Sequence, residues 1–338
     1  MFDKVLKIIV LLLIVSNGIL AQEKRINYWN DSTGMIKEQA SITFNQIDKV
    51  LDFYKPQVGN SEIRKLALFS LDVLLHDTRN DNGAPLRSFI NKRIHNIISE
   101  LSSDKIKKGY KIYKLYNHGF VVRTPSITFG FDIVSGGKKG DPFISDSLIS
   151  ELVKHVDVMF VSHHHGDHAD RSVANIFVEQ HKSVIVPPAL WENQSERIKH
   201  VRGSTIYGKA LQLPSEKLGI KVLPGHQGSK VLNNIYAITT EEGYTFVHTG
   251  DQHFKDDLKW ISSINDSLKV DVLFINGWTT HLEEMIAGFN PKIIVSGHEN
   301  EMNHSIDHRE PYWLMSQRLN EFDAPHILMA WGESFKQN

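Results

Sequence analysis

The sequence has no cysteine. Disulfides, thiolate metal sites and cysteine nucleophiles are therefore excluded together. Net charge is nearly absent as well: 38 Lys and Arg stand against 39 Asp and Glu, a formal −1. That balance lacks the basic footprint of a nucleic-acid binder. Long apolar runs are missing, since Ile8 to Val15 falls well short of the ~20 residues of a spanning helix. No repeat of 20–50 residues and no low-complexity tract is present. What remains is a soluble globular composition, 41% hydrophobic and 23% charged. At ~150 residues per domain, 338 residues make one large domain or two modest ones.

The start of the chain reads as an export signal. Lys4 and Lys7 precede the apolar run, Ser16-Asn17-Gly18 breaks it, and Ala21 precedes a polar segment. That order of basic start, short apolar core and small residue predicts a signal peptide over 1–21 and a periplasmic or secreted protein. A helical extension is expected over 22–107. Ile36, Phe44, Ile47 and Leu51 recur at helical spacing, and Pro56 ends the run. Ser61 is a plausible N-cap for a second helix carrying Leu68, Leu71 and Leu74. Pro85 suits the first turn of a third, with Phe89, Ile90, Ile94 and Ile97.

The remaining segment, 108–338, changes texture. Stretches rich in β-branched and aromatic residues at 110–116, 119–123 and 126–134 predict early hairpin strands. Strands then alternate with helices: 156–161, a helix over 169–182, 183–186, 220–223, a hairpin of 235–239 with 244–248, then 270–275, 292–295 and 327–330. This mixture argues an α/β (α+β) fold with at least one large sheet. Gly-rich 135–140 lacks phosphate-loop spacing and reads as an ordinary loop.

The 18 histidines are not spread evenly. Ser162-His163-His164-His165-Gly166-Asp167-His168 follows directly on an apolar strand. In extended chain, residues i and i+2 point the same way, so His163 and His165 face one point. Gly166 permits a sharp turn, after which Asp167 and His168 face a second point nearby. Imidazole and carboxylate are the ligands that zinc and similar divalent ions take. His226, Asp251 and His298 each sit just past an apolar strand, where ligands of α/β folds gather.

In this pattern, HxHxDH followed by a distant His, an Asp and a final His, the chain resembles the metallo-β-lactamase superfamily of metal-dependent hydrolases over roughly 110–335. The resemblance implies a four-layer αββα sandwich with two metals at one edge. His163, His165 and His226 would hold the first, Asp167, His168 and His298 the second, and Asp251 would bridge them. The metals would be divalent, zinc first, with iron or manganese as alternatives. Asp132 matches the aspartate that supports the site from behind. The implied reaction is hydrolysis by metal-bound hydroxide.

Asp251 departs from the true β-lactamases, which use no bridging carboxylate there, so antibiotic hydrolysis ranks as an alternative substrate class. Asp251 and the Asn117-His118-Gly119-Phe120 turn look closest to the lactonase and phosphodiesterase branch. The expected substrate is thus an ester, lactone or phosphodiester, small or lipid-like, with no nucleic acid; the chain is expected to be a possible homodimer. A metal-binding or sensor protein without catalysis is the competing class. Asp167 and Asp251 are expected in the catalytic machinery, with His304 as general acid. His118, His253 and His281 stand as further site-edge histidines, and His304 and His308 are read as a surface pair.

Overall fold

The computed structural model describes residues 31–77, 83–138, 140–204 and 218–338; the expected signal peptide lies outside these. The chain opens with three helices: α1 Ser32–Phe53, α2 Glu62–Leu75 and α3 Ala84–Ser103. Asp31 caps α1 by accepting from the Gly34 amide at 2.7 Å, and Ser61 caps α2. Pro85 sits in the first turn of α3, where its missing N–H costs no helical bond. The three helices close their apolar faces on one another through Phe44, Leu51, Leu68, Leu71, Ile90 and Ile94.

Two sheets follow. The first runs β15-β1-β2-β3-β6-β7-β8. Its strands are β1 Tyr110–Lys114, β2 Phe120–Arg123, β3 Thr128–Phe131, β6 Val158–Phe160, β7 Ser183–Val186, β8 Ile198–His200 and β15 Ser334–Gln337. The second runs β14-β13-β12-β11-β10-β9. Its strands are β9 Leu218–Gln227, β10 Val231–Thr240, β11 Thr245–His248, β12 Val272–Asn276, β13 Ile293–Gly297 and β14 His326–Ile327. A two-strand ribbon, β4 Gly137–Lys138 with β5 Asp141–Pro142, occupies the Gly-rich loop.

Phenylalanines fill the space between the sheets. Phe129 and Phe131 of β3 alternate inward and meet Phe160, Phe246 and Phe274. Residues of the opposite parity, such as Val121 and Met159, face the helical layers. Those layers hold α4 Asp146–Lys154, α5 Arg171–Glu179, α6 Leu258–Ile261, α7 Leu282–Phe289 and α8 Tyr312–Leu319. The result is helix, sheet, sheet, helix, the expected sandwich. The N-terminal helices join it without a second core, because α2 packs on α8, α3 packs on α4, and their apolar residues merge with Tyr116, Trp331 and Met315.

Buried charges fasten this join. Arg64 of α2 donates to Glu333 and, at 2.8 Å, to the Leu328 carbonyl. Arg93 of α3 donates to Asp48 and to the Trp331 carbonyl at 2.7 Å. Among the described residues no helix is long and apolar enough to cross a membrane.

Candidate metal centre

The first sheet is parallel from β3 through β8, and the second from β11 through β14. The carboxyl ends of β6, β11, β12 and β13 run into His163, Asp251, Asn276 and His298. Two groups of ligand atoms result, each lying within 4.8 Å: Asp167, His168, Asp251 and His298, and His163, His165 and Asp251. Asp251 belongs to both. His168 Nε2 lies 3.1 Å from Asp251 and 3.3 Å from Asp167, and His298 Nε2 lies 3.1 Å from Asp167. His163 Nε2 lies 3.5 Å from Asp251.

The chemistry of these donors fits divalent cations. His163 Nε2 and His168 Nε2 are buried with no hydrogen-bond partner, a costly state for a polar nitrogen unless an ion occupies it. On the far side, His168 Nδ1 meets Asp132 at 2.8 Å, the carboxylate–histidine pairing that orients a ligand imidazole. Asp132 also accepts from Ser162 N at 2.7 Å and Ser162 Oγ at 2.6 Å. It ends β3 in left-handed backbone, φ 43°, and that turn carries its carboxylate under the site. Gly250, also left-handed at φ 53°, precedes Asp251; a Cβ there would meet Asn233 Oδ1 at 2.2 Å.

Charge in the centre is arranged for cations. Burial would raise the carboxyl of Asp167, but His168 and His298 hold it far below the usual range. Asp251 is likewise held low against burial by His168 and His298. Burial pushes the His163 imidazole down to about 3, with His168 adding to the effect. Neutral imidazole and ionised carboxylate are the forms that bind metal; His163 has the neutral form, whereas Asp251 and Asp167 hold His168 and His298 up against burial, so those two would give up a proton to a bound cation.

His226 is placed apart from both groups of ligand atoms. Its Nδ1 faces Asp257 at 3.1 Å, and its carbonyl accepts from the amides of His253 and Phe254. It thus shares the loop that carries Asp251 and has a carboxylate behind one nitrogen, leaving Nε2 as its other donor atom. Strand β9, expected to end at 223, continues through this residue to Gln227.

Gln227 was not singled out from the sequence. Its Nε2 donates to Asp251 at 2.9 Å, while Asn276 Nδ2 donates to the other carboxylate oxygen at 2.6 Å. Both line a cavity of about 350 Å³ above Asp251, with His165, His253, Trp278, Thr279 and His298 among its other walls. His304, half-buried, and His308, exposed as expected, line the same cavity at its rim. His304 Nδ1 meets the His308 carbonyl at 3.2 Å. His281 sits just behind, its ring 5.9 Å from that of His253.

His118 does not reach the metal edge. It is fully buried beneath the centre, 4.3 Å from the His248 ring and 6.0 Å from His168. Burial, with His248 adding to it, pushes its imidazole far below the usual range. A second cavity, about 330 Å³, lies between α1, α3 and the turn before β15; its charged walls include the Arg93–Glu333 pair and no cluster of metal donors.

No protein-family model and no curated protein matches the chain. Solved structures do. Igni18, a metallo hydrolase from Ignicoccus hospitalis, superposes with a TM-score of 0.51 at 16% identity, over 68% of this chain and 99% of that one. A possible metal-dependent hydrolase from Veillonella parvula gives 0.49 at 14% identity, over 68% and 100%. Isothiocyanate hydrolase from Delia radicum gut bacteria gives 0.49 at 15%, over 67% and 98%. The likeness to Igni18, a metallo hydrolase, is one of fold; a Zn-dependent hydrolase of the metallo-β-lactamase superfamily from Thermotoga maritima is among the other structural neighbours. The chain has the metallo-β-lactamase fold.

Proposed function

We propose that the chain is a metal-dependent hydrolase that binds two divalent cations, zinc first, with iron or manganese as alternatives. His163, His165 and the Nε2 of His226 would hold one, Asp167, His168 and His298 the other, and Asp251 would serve both. The observation that carries this reading is Asp251 shared by two ligand groups, in each of which a buried imidazole nitrogen, His163 Nε2 or His168 Nε2, has no hydrogen-bond partner. Divalent cations bound there supply Lewis acidity and bring the pKa of water towards ~7.

The chain's own residues do the rest. Asn276 and Gln227 grip both oxygens of Asp251 and fix its orientation. The His308 carbonyl accepts from Nδ1 of His304, so Nε2 is the nitrogen that would take a proton released by the attacking water and pass it to the departing oxygen. In ester or lactone hydrolysis, the oxygen of water bonds to the acyl carbon and the C–O bond breaks. One water proton goes to the leaving alkoxide and the other leaves with the acid. The near-neutral net charge of the chain speaks against a nucleic-acid substrate. The basic start and apolar run at Ile8–Val15 support an exported, periplasmic or secreted protein. Exposed Phe53, Leu66 and Val73 on α1 and α2 give an apolar face that a homodimer would cover.

Elemental analysis of purified protein, paired with a screen of lactones, thioesters, phosphodiesters and β-lactams, tests this. About two metals per chain and turnover of one class are expected. Metal content well below two, unrestored by added zinc, iron or manganese, sinks the centre. A fully loaded chain that turns over nothing sinks the hydrolase and leaves a binding protein.

A further inference from the structure

The cavity above Asp251 has one wall of a distinct kind. Trp278 leaves its indole 37% exposed there. Its ring lies 5.5 Å from His304, 5.9 Å from His308 and 6.0 Å from His298. This is a run of four rings, beginning at a metal-ligand candidate and ending at the rim. The backbone beneath it is clamped. Trp278 N donates to Asn276 Oδ1 at 2.8 Å, and Arg318 donates to the carbonyls of Gly277 and Thr279 while pairing with Glu310 at 3.2 Å. An isolated exposed tryptophan needs no explanation. An indole held open, inside the cavity and beside a ligand imidazole, offers a fixed apolar plane.

The polar lining is equally informative. Among the described residues lining the cavity, imidazoles, amides and the two metal-candidate carboxylates Asp167 and Asp251 are present and no Lys or Arg is. Phosphate recognition ordinarily recruits guanidinium or ammonium groups. The volume is also at the small end of ligand cavities, too tight for a long acyl chain lying within it.

We propose that Trp278, flanked by His304 and His308, is the specificity surface of the centre, and that it selects a compact carboxylic ester or lactone whose planar unsaturated group lies on the indole. This rests on the hydrolase reading above and narrows its substrate from ester or phosphodiester to one shape of ester. Offset stacking of a planar group on an aromatic face is worth about 0.5–1.5 kcal/mol beyond its burial, and an aliphatic ring of the same size forgoes it.

The test uses the full chain loaded with zinc and non-hydrolysable carboxylates, read by titration calorimetry. Benzoate is expected to bind roughly 2- to 10-fold more tightly than cyclohexanecarboxylate, the ratio that such a contact supplies. Trp278→Leu should erase the ratio and Trp278→Phe should keep most of it, each variant with unchanged metal content by elemental analysis. Equal binding by the parent chain, or a preference that survives Trp278→Leu, overturns the proposal while leaving the hydrolase standing. Methyl phenyl phosphate binding more tightly than benzoate overturns the ester assignment. A chain that takes up no metal overturns the hydrolase reading and this proposal with it.

Discussion

The two halves of the centre are built in opposite ways. His163, His165, Asp167 and His168 come from one strand end and the turn after it, and their supports are short-range in the fold. Ser162 and His168 both bond Asp132. Apart from His226 and from Asp251, which both ligand groups share, the other half is one residue, His298, followed by a loop to Pro311 that is held from far away. Lys114 donates to Glu299, Tyr116 donates to Glu301, and Asp72 of α2 accepts from Asn300 at 2.8 Å and from the Tyr312 and Trp313 amides at 2.8 and 2.9 Å. Arg309 reaches back to the Leu75 carbonyl. One side is positioned by the adjacent strand end at Asp132, 30 to 36 positions away; the other is positioned by buried polar pairs from more than 180 positions away, two of them from the N-terminal helices. The extension therefore reaches the centre through the His298 loop, though none of its described residues is among the candidate ligands.

Removing the residue common to both halves should have the largest effect. Asp251→Ala is expected to cost more than the ~10- to 100-fold in metal affinity typical of outer supports, and to lower occupancy at both positions. Equilibrium dialysis against zinc reads this directly; full occupancy in the variant would refute the shared carboxylate.

Next comes the long-range support. Burial pushes the Asp72 carboxyl up to about 6, against the three donors that favour its charged form. A raised carboxyl pKa makes the folded state bind its proton more tightly than the unfolded chain, at 3.8. The contribution is complete below about pH 4 and lost as pH rises through about 6. Asp72→Asn does not titrate. The stability of the parent minus that of the variant should therefore fall between pH 4 and 7, by at most about 3 kcal/mol for a shift of this size. Urea unfolding across that range checks it; a flat difference would mean that Asp72 is ionised throughout. Hydrogen exchange in the variant should quicken across 299–311 and leave 162–168 unchanged.

Asp132→Asn probes the local half. The amide can no longer accept from both Ser162 and His168 with equal strength, and His168 loses its orienting carboxylate. A loss of about 10- to 100-fold in metal affinity is expected, with exchange rates in 299–311 unaltered. Quickened exchange in that loop would erase the distinction between the halves.

The same contrast governs what was legible in the sequence. The 163–168 cluster could be read because its ligands are contiguous and strand periodicity orients them. Asp251 and His298 could be read as residues following apolar strands. The Asp72–Asn300 contact joins residues 228 positions apart and leaves no local pattern. Strand β10 was expected to begin at 235 because Asn233 and Asn234 look like loop residues. Both are buried, with Asn233 serving Thr249 O and Asp251 N, and Asn234 serving Val201 O and Gly203 N. Strand β14 is shorter than expected, and β15 was not anticipated; a left-handed Gly332 separates them, and β15 pairs with β1 from the opposite end of the domain. The surface reading of His304 and His308 holds, with His308 exposed and His304 half-buried; that they also line the cavity depends on Trp278, an element away, and has no local pattern.

The smallest effect expected is also the most local test of the long-range half. Tyr116 is buried between Trp331 and Phe143, ring centroids 5.0 and 5.3 Å away, so Phe fits its cavity without repacking. Its hydroxyl donates to Glu301 and accepts from the Met302 amide at 2.9 Å. Tyr116→Phe leaves that amide and a buried carboxylate short of one partner each. Glu301 retains the Asn303 amide at 3.1 Å, which limits the loss to about 1–2 kcal/mol. The cost falls on the loop bearing His304, so opening should appear at 301–304 in exchange experiments and metal content should stay near the parent value. Loss of metal in this variant, at unchanged stability, would show that the His298 loop is tuned from Tyr116 more tightly than its single hydroxyl accounts for, and would place the weak half of the centre at Glu301 rather than at Asp72.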